Sequence, residues 1–217
     1  MKKLCLTLAL LLGTISYVNA EETEFNPGLY LGIDLGYATV KDQTQETADL
    51  MVKTLGGRAT VTQDAGLGLA RILAGFKIIE NLDLEIGYFK SSEQHMNAEG
   101  TAWNGGNYTI KATSVSSGFD YSLLLRPSLS TGINCLFIRA GGHSSQEEGK
   151  VITKVYNIDV ASETVTVKGS GFLYGLGYDE YFGEHFALRG EFTRYEKIAG
   201  VSDNYANLFH IALIGKF

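Results

Sequence analysis

From Leu29 onward the chain alternates. In GLYLGIDLGYATV (28–40), Leu29, Leu31, Ile33, Leu35 and Tyr37 take one phase, while Tyr30, Gly32, Asp34, Gly36 and Ala38 take the other. A period of two is the signature of a strand whose faces meet different surroundings. ARILAGFKI (70–78) sets Ile72, Ala74, Phe76 and Ile78 against Arg71, Leu73, Gly75 and Lys77, and LDLEIGYFK (82–90) repeats the pattern. Only Ile79 to Asn81 separates these two, which predicts a tight hairpin. SVSSGFDYSLLLRP (114–127), LSTGINCLFIRAGG (129–142), GFLYGLGYDE (171–180), HFALRGEFTRY (185–195) and NLFHIALIGKF (207–217) complete eight predicted strands.

The connections alternate in length. Short links are expected at Ile79 to Asn81, Pro127-Ser128 and Tyr181 to Glu184, and long polar ones over 41–65, 91–113, 143–167 and 196–206. Short turns on one side and long loops on the other are the asymmetry of a transmembrane antiparallel up-and-down β-barrel. Within 143–167, KVITKVYNI and ETVTVKGSG also alternate; they are expected to carry the fifth and sixth strands beyond the membrane as a hairpin.

Charge fixes which face meets lipid. The polar phase carries Asp34, Arg71, Lys77, Asp83, Glu85, Asp120, Arg126, Arg139, Asp179, Arg189, Glu191 and Lys216, six acids and six bases. A basic side chain facing hydrocarbon at mid-membrane costs roughly 2–4 kcal/mol. Slipping a strand by one residue would expose its whole set, so the charges must point inward. Eight strands enclose a lumen about wide enough for side chains to fill. A plug of paired charges is therefore expected, with an ion-conducting lumen as the alternative, since Gly32, Gly36, Gly75, Gly87, Gly118, Gly175 and Gly177 also point inward and leave space. Outward aromatics such as Tyr37, Tyr88, Tyr121, Phe172, Tyr178, Phe186 and Phe209 are expected near the membrane interfaces. In the fifth strand, Leu136 and Ile138 outward places Arg139 inside together with Ile133, Cys135 and Phe137. A soluble lipocalin-type barrel would show the opposite arrangement, polar outside and apolar inside.

Residues 1–20 read as a signal peptide: MKK, a short apolar run, then Val18-Asn19-Ala20, with cleavage expected after Ala20 and the barrel domain over 21–217. Cys5 precedes the apolar run, so a lipid anchor is not expected, and only Cys135 remains in the mature chain, which allows no internal disulfide. Removing Lys2 and Lys3 takes the 18 basic residues to 16 against 24 acidic ones, so nucleic acid is not an expected partner.

With these features in place, LAGFKIIENLDLEIGYF, YGLGYDEYFGEHFALRGEFTRYEK and the terminal IALIGKF resemble the OmpA-like outer-membrane β-barrel family of Gram-negative bacteria. The resemblance implies a monomer in the outer membrane, in contact with outer-membrane lipid and lipopolysaccharide. It also implies a last strand recognised by the barrel-assembly machinery, for which Phe209, Ile211, Leu213 and Phe217 fit the pattern while Gly215 departs from it. It further suggests lumen salt bridges among Arg71, Glu85, Arg139, Arg189 and Glu191. Larger members carry a periplasmic peptidoglycan-binding domain, which is not expected here. A last strand that closes on the first would leave no free edge in hydrocarbon.

Chemistry is sparse. His95, His143, His185 and His210 show no metal-ligand spacing and are expected at the surface or in turns, so no metal or cofactor is expected. His143-x-Ser145 has the spacing of the outer-membrane lipid A deacylases, in which serine is nucleophile and histidine base, but its surroundings differ and an enzyme is not expected. The stretch MNAEGTAWNGGNYT offers Trp103 and Tyr108 as a contact surface on a long loop.

Overall fold

A computed structural model describes residues 28–127, 135–155 and 158–217; the signal-peptide expectation over residues 1–20 lies outside them. Its strands are β1 (Leu29–Val40), β2 (Arg58–Gln63), β3 (Gly66–Ile79), β4 (Leu82–Ser91), β5 (Gln94–Thr101), β6 (Asn107–Leu125), β7 (Leu136–Val155), β8 (Ile158–Phe182), β9 (Phe186–Glu196) and β10 (Tyr205–Lys216). One helix, α1 (Thr44–Leu55), precedes β2.

Eight of these strands form an antiparallel ring in the order β1, β3, β4, β6, β7, β8, β9, β10, and β10 closes on β1. The closing register runs without interruption from Tyr30 opposite Lys216 to Val40 opposite Ala206. The Phe217 N–H adds one further bond to the Leu29 carbonyl at 3.0 Å. Closure gives each strand of the ring a partner on both sides and leaves no free edge, which a hydrocarbon solvent requires.

Leu29, Leu31, Ile33, Leu35 and Tyr37 face outward and are exposed, as are Ile86, Tyr121, Phe172, Phe209, Ile211 and Leu213. The opposite phase is buried and contains the charges. The fifth ring strand follows the expected phase, with Leu136 and Ile138 outward and Phe137 and Arg139 inward.

The structure differs from the sequence reading at three places. First, β7 starts at Leu136, so the link from β6 is longer than Pro127-Ser128; residues 128–134, including Ile133, lie outside the described set. Second, 41–65 and 91–113 are not plain loops. They hold α1, β2, β5 and the upper half of β6, where β6 pairs with β5 over Asn107–Ser114 after pairing with β4 over Ser117–Leu125. With the long β7–β8 hairpin this makes a sheet, β2-β5-β6-β7-β8, standing beyond the ring at the long-loop end. The hairpin itself was anticipated; β2 and β5 were hidden because each carries only one larger apolar residue, Val61 and Met96, among polar and small ones. Third, four of the inward glycines do not leave empty space. A Cβ at Gly75 would fall on the Tyr30 ring, at Gly87 on the Arg71 guanidinium, at Gly177 on the Phe137 ring and at Gly32 on Ile214, so these glycines make room for large neighbours.

At the root of α1, Thr44 donates to Asp42 Oδ1 through both its N–H (2.9 Å) and its hydroxyl (2.7 Å), and these bonds hold the Asp42 carboxyl below its ordinary pKa. Lys41, bonded to Glu46 at 2.9 Å, is held above its own.

Candidate functional site: the barrel lumen

Glu85, midway along β4, is the hub of the lumen. Its Oε1 accepts from Arg71 Nη2 at 2.9 Å and Arg139 Nη2 at 2.5 Å, and its Oε2 from Arg189 Nη1 at 2.6 Å and the Tyr30 hydroxyl at 3.2 Å. The three arginines come from β3, β7 and β9, so one carboxylate on β4 ties together walls on opposite sides of the ring. Each arginine has a second anion. Arg71 binds Asp120 through Nε (2.8 Å) and Nη2 (2.6 Å), Arg139 contacts Glu191 (Nη2 to Oε2 2.9 Å), and Arg189 binds Asp179 (Nε to Oδ1 2.7 Å). Towards the short-turn end, Arg126 joins Asp83 (3.0 Å) to Asp179 (2.8 Å). Forked guanidinium–carboxylate pairs of this kind give fixed geometry as well as charge neutralisation.

All ten charges assigned to this network from the sequence thus lie inside the ring and are buried. Lys77 and Lys216 do not share that enclosure: both are only partly buried, and the Lys216 ammonium sits 3.6 Å from the centre of the Tyr181 ring at the short-turn rim. The enclosed set is therefore six carboxylates and four guanidiniums, not the even balance of the sequence count.

Two histidines correct the expectation of surface positions. His210 is buried on β10, with Nδ1 2.5 Å from Asp34 Oδ2 and Nε2 3.2 Å from the Thr193 hydroxyl, which in turn donates to Glu191 at 2.5 Å. His143 is buried on β7 with Nε2 2.8 Å from the Glu196 carbonyl. The parity of each in its strand was the available signal; a search for ligand spacing passed over it. No group of three or more metal-ligating side chains occurs among the described residues.

Apolar layers lie on both sides of the ions. Tyr30, Leu73, Ala187, Ala212 and Ile214 cluster towards the short-turn end. At the long-loop end Phe89, Leu173, Tyr195 and Leu208 pack with Ile198 and Ala199, carried by a single 3-10 turn (Ile198–Gly200) in the β9–β10 connection. That turn folds inward through left-handed Lys197 and Ala199 and is fixed by a 2.9 Å bond from the Ala199 N–H to the Ser145 hydroxyl. Phe137 lies between Arg126 and Arg189, its ring centre 5.2 and 4.7 Å from their guanidinium carbons.

His143 and Ser145 share the inward face of β7, where their side chains bind backbone groups at the end of β9 and in the β9–β10 connection, and neither looks out towards an acyl chain. Lipid A from cells expressing the protein is expected to keep its mass, and Ser145→Ala is expected to change nothing in that spectrum; a mass loss abolished by Ser145→Ala would overturn this.

The contact residues foreseen at the loop separate. Trp103 is 83% exposed at the β5–β6 tip, with its N–H bonded to the Leu55 carbonyl at the end of α1 (3.0 Å). Tyr108 lies within β6 on the inner face of the extended sheet and is only 5% exposed, because strand pairing continues to Asn107 and the parity of β6 turns it inward. Tyr108 is therefore not a displayed loop residue.

Residues 6–217 match the family model described as outer membrane protein beta-barrel domain. The chain belongs to that family. No curated protein matches it in sequence. Among solved structures it is similar to Neisserial surface protein A (14% identity, TM-score 0.38, covering 87% of this chain and 97% of that one). It is also similar to Ail, the attachment invasion locus protein of Yersinia pestis, in complex with the heparin analogue sucrose octasulfate (12%, TM-score 0.39, 88% and 100%). A third is the N-terminal β-barrel domain of Pseudomonas aeruginosa OprF (10%, TM-score 0.35, 86% and 97%).

Proposed function

We propose that this member of the family is an exported, monomeric outer-membrane barrel with a sealed lumen, which serves the envelope structurally and meets its surroundings through the sheet and loops beyond the ring. The observation that carries this reading is the layering of the lumen: an ionic core held by Glu85 and closed above and below by apolar side chains. An ion crossing it would have to separate buried guanidinium–carboxylate pairs and pass Phe89, Leu173 and Leu208, and a plug of paired charges resists this.

The same reading has the first twenty residues removed after Ala20 as a signal. Lipid and lipopolysaccharide surround the exposed apolar wall. The barrel-assembly machinery reads the outward residues Phe209, Ile211 and Leu213 of β10 together with Phe217, all of which are exposed. Trp103 is the residue best displayed for surface contact.

The rival is a small porin. In a planar bilayer the refolded protein is expected to leave the membrane silent. Reproducible unitary openings would sink the sealed-lumen reading and favour the porin.

A further inference from the structure

The outward wall formed by β4, β6, β7 and β8 carries unpaired bases, whereas Arg194, on the β9 part of the rim, is bonded to Glu196 at 2.6 Å. One step above the paired aromatics Tyr88 and Phe119, whose ring centres are 5.0 Å apart, the ladder places Lys90, Ser117, Gln146 and Lys168 in a continuous row across the four strands. Gln146 donates to the Ser117 hydroxyl at 3.4 Å, so the middle of the row is neutral and its two ends are cationic. Higher on the same face come Lys150, opposite Thr113 and Thr164, and then Lys111, opposite Asn97 and Ile152. On the other wall, one step above Tyr37 and Phe209, the corresponding row is Arg194, Asn207, Thr39 and Gly66, and Arg194 is already held by Glu196 at 2.6 Å and Asn207 at 3.3 Å.

Strand geometry sets the dimensions. Three inter-strand spacings separate Lys90 from Lys168, about 14 Å, and six residues of β6 raise Lys111 about 20 Å above that row. All four lysines are exposed, and none forms an ion pair with a described residue. Glu148 is the one acid between them on this part of the face, in a chain whose formal charge is -6. Unpaired cations that begin at the aromatic level and continue upward complement a lipid whose anionic groups begin at the headgroup and continue above it.

We propose that this wall binds the phosphate groups of a phosphorylated glycolipid of the surrounding outer leaflet, with Lys90 and Lys168 at headgroup level and Lys150 and Lys111 on the anionic groups above. The inference rests on the membrane-embedded reading given above and names the partner of that surface.

The test uses the full mature chain refolded into zwitterionic nanodiscs doped with bisphosphorylated lipid A or its dephosphorylated form, with retained lipid read by native mass spectrometry. Retention of the bisphosphorylated form is expected to fall roughly tenfold or more in Lys90→Gln/Lys168→Gln, at about 1 kcal/mol per cation near an anionic surface. The dephosphorylated form should be unaffected, as should Lys53→Gln on α1. Equal retention by the double variant overturns the proposal. So does displacement of the lipid by excess inorganic phosphate, which would mark a free-phosphate site instead. If the double variant does not fold, Lys111→Gln/Lys150→Gln, with Lys90→Arg/Lys168→Arg as the charge-keeping control, decides by the same readout. A chain that never enters the nanodisc sinks the membrane reading itself, whereas an inserted chain indifferent to phosphate sinks this inference alone.

Discussion

Glu85→Ala is expected to destabilise the folded barrel by about 3–5 kcal/mol, the cost of stranding buried charges when one partner is removed. The sign is informative because simple charge counting predicts the opposite. The enclosed set holds six carboxylates and four guanidiniums, so deleting one acid brings it nearer to neutrality. Geometry overrides the count. Glu85 is the anion shared by Arg71, Arg139 and Arg189, and without it three guanidiniums converge on an empty position, held only by carboxylates on their own sides, Asp120 and Asp34 for Arg71, Glu191 for Arg139 and Asp179 for Arg189. Their mutual repulsion is felt in a poorly screened interior. Glu85→Gln keeps the volume and one acceptor oxygen and should lie between wild type and alanine. The measurement is the urea dependence of the folded fraction in detergent micelles or vesicles, read from the gel mobility of unheated samples. A loss below about 1 kcal/mol, the range of an exposed pair, would show that the hub does not hold the walls together.

The ring was legible in the sequence because a single physical requirement, charge away from hydrocarbon, acts on every strand with the same period. Asp34, Arg71, Glu85, Arg139 and Arg189 could each be placed inside from parity alone, even in β7, where Phe137 accompanies Arg139 and blurs the pattern. The partners of each charge could not be read. They depend on how far each strand is staggered around the ring, which is why residues as distant in the chain as Glu85 and Arg189 meet at 2.6 Å. Tyr30, Phe89, Leu173 and Leu208 sit in the polar phase of their strands, and these inward apolar residues were the sign of the apolar layers that lie on both sides of the ions. The β2, β5 and upper β6 part of the sheet beyond the ring escaped notice for the converse reason. Water on its outer face and small residues such as Ala59, Ala98 and Ala112 on its inner one weaken the alternation on which the reading depended. Tyr108 was misplaced with it.

Ile33→Arg is expected to cost about 2–4 kcal/mol, the depth-dependent cost of a cationic side chain on the lipid face near mid-membrane. Ile33 is the middle member of the outward series Leu29 to Tyr37 on β1, flanked in register by Ile72 of β3 and Leu213 of β10, so no polar side chain on that wall is near enough to receive the guanidinium. Its inward neighbours Gly32 and Asp34 lie across the backbone, and the side chain cannot reach the lumen without slipping β1 by one residue, which would turn Asp34 out into lipid. The matched control is Thr60→Arg on the outer face of β2, an exposed position beyond the ring, where a change within about 0.5 kcal/mol is expected. Unfolding free energies measured in phospholipid vesicles compare the two. Should both substitutions cost the same, the wall containing Ile33 does not face hydrocarbon, and the assignment of inside and outside falls with it.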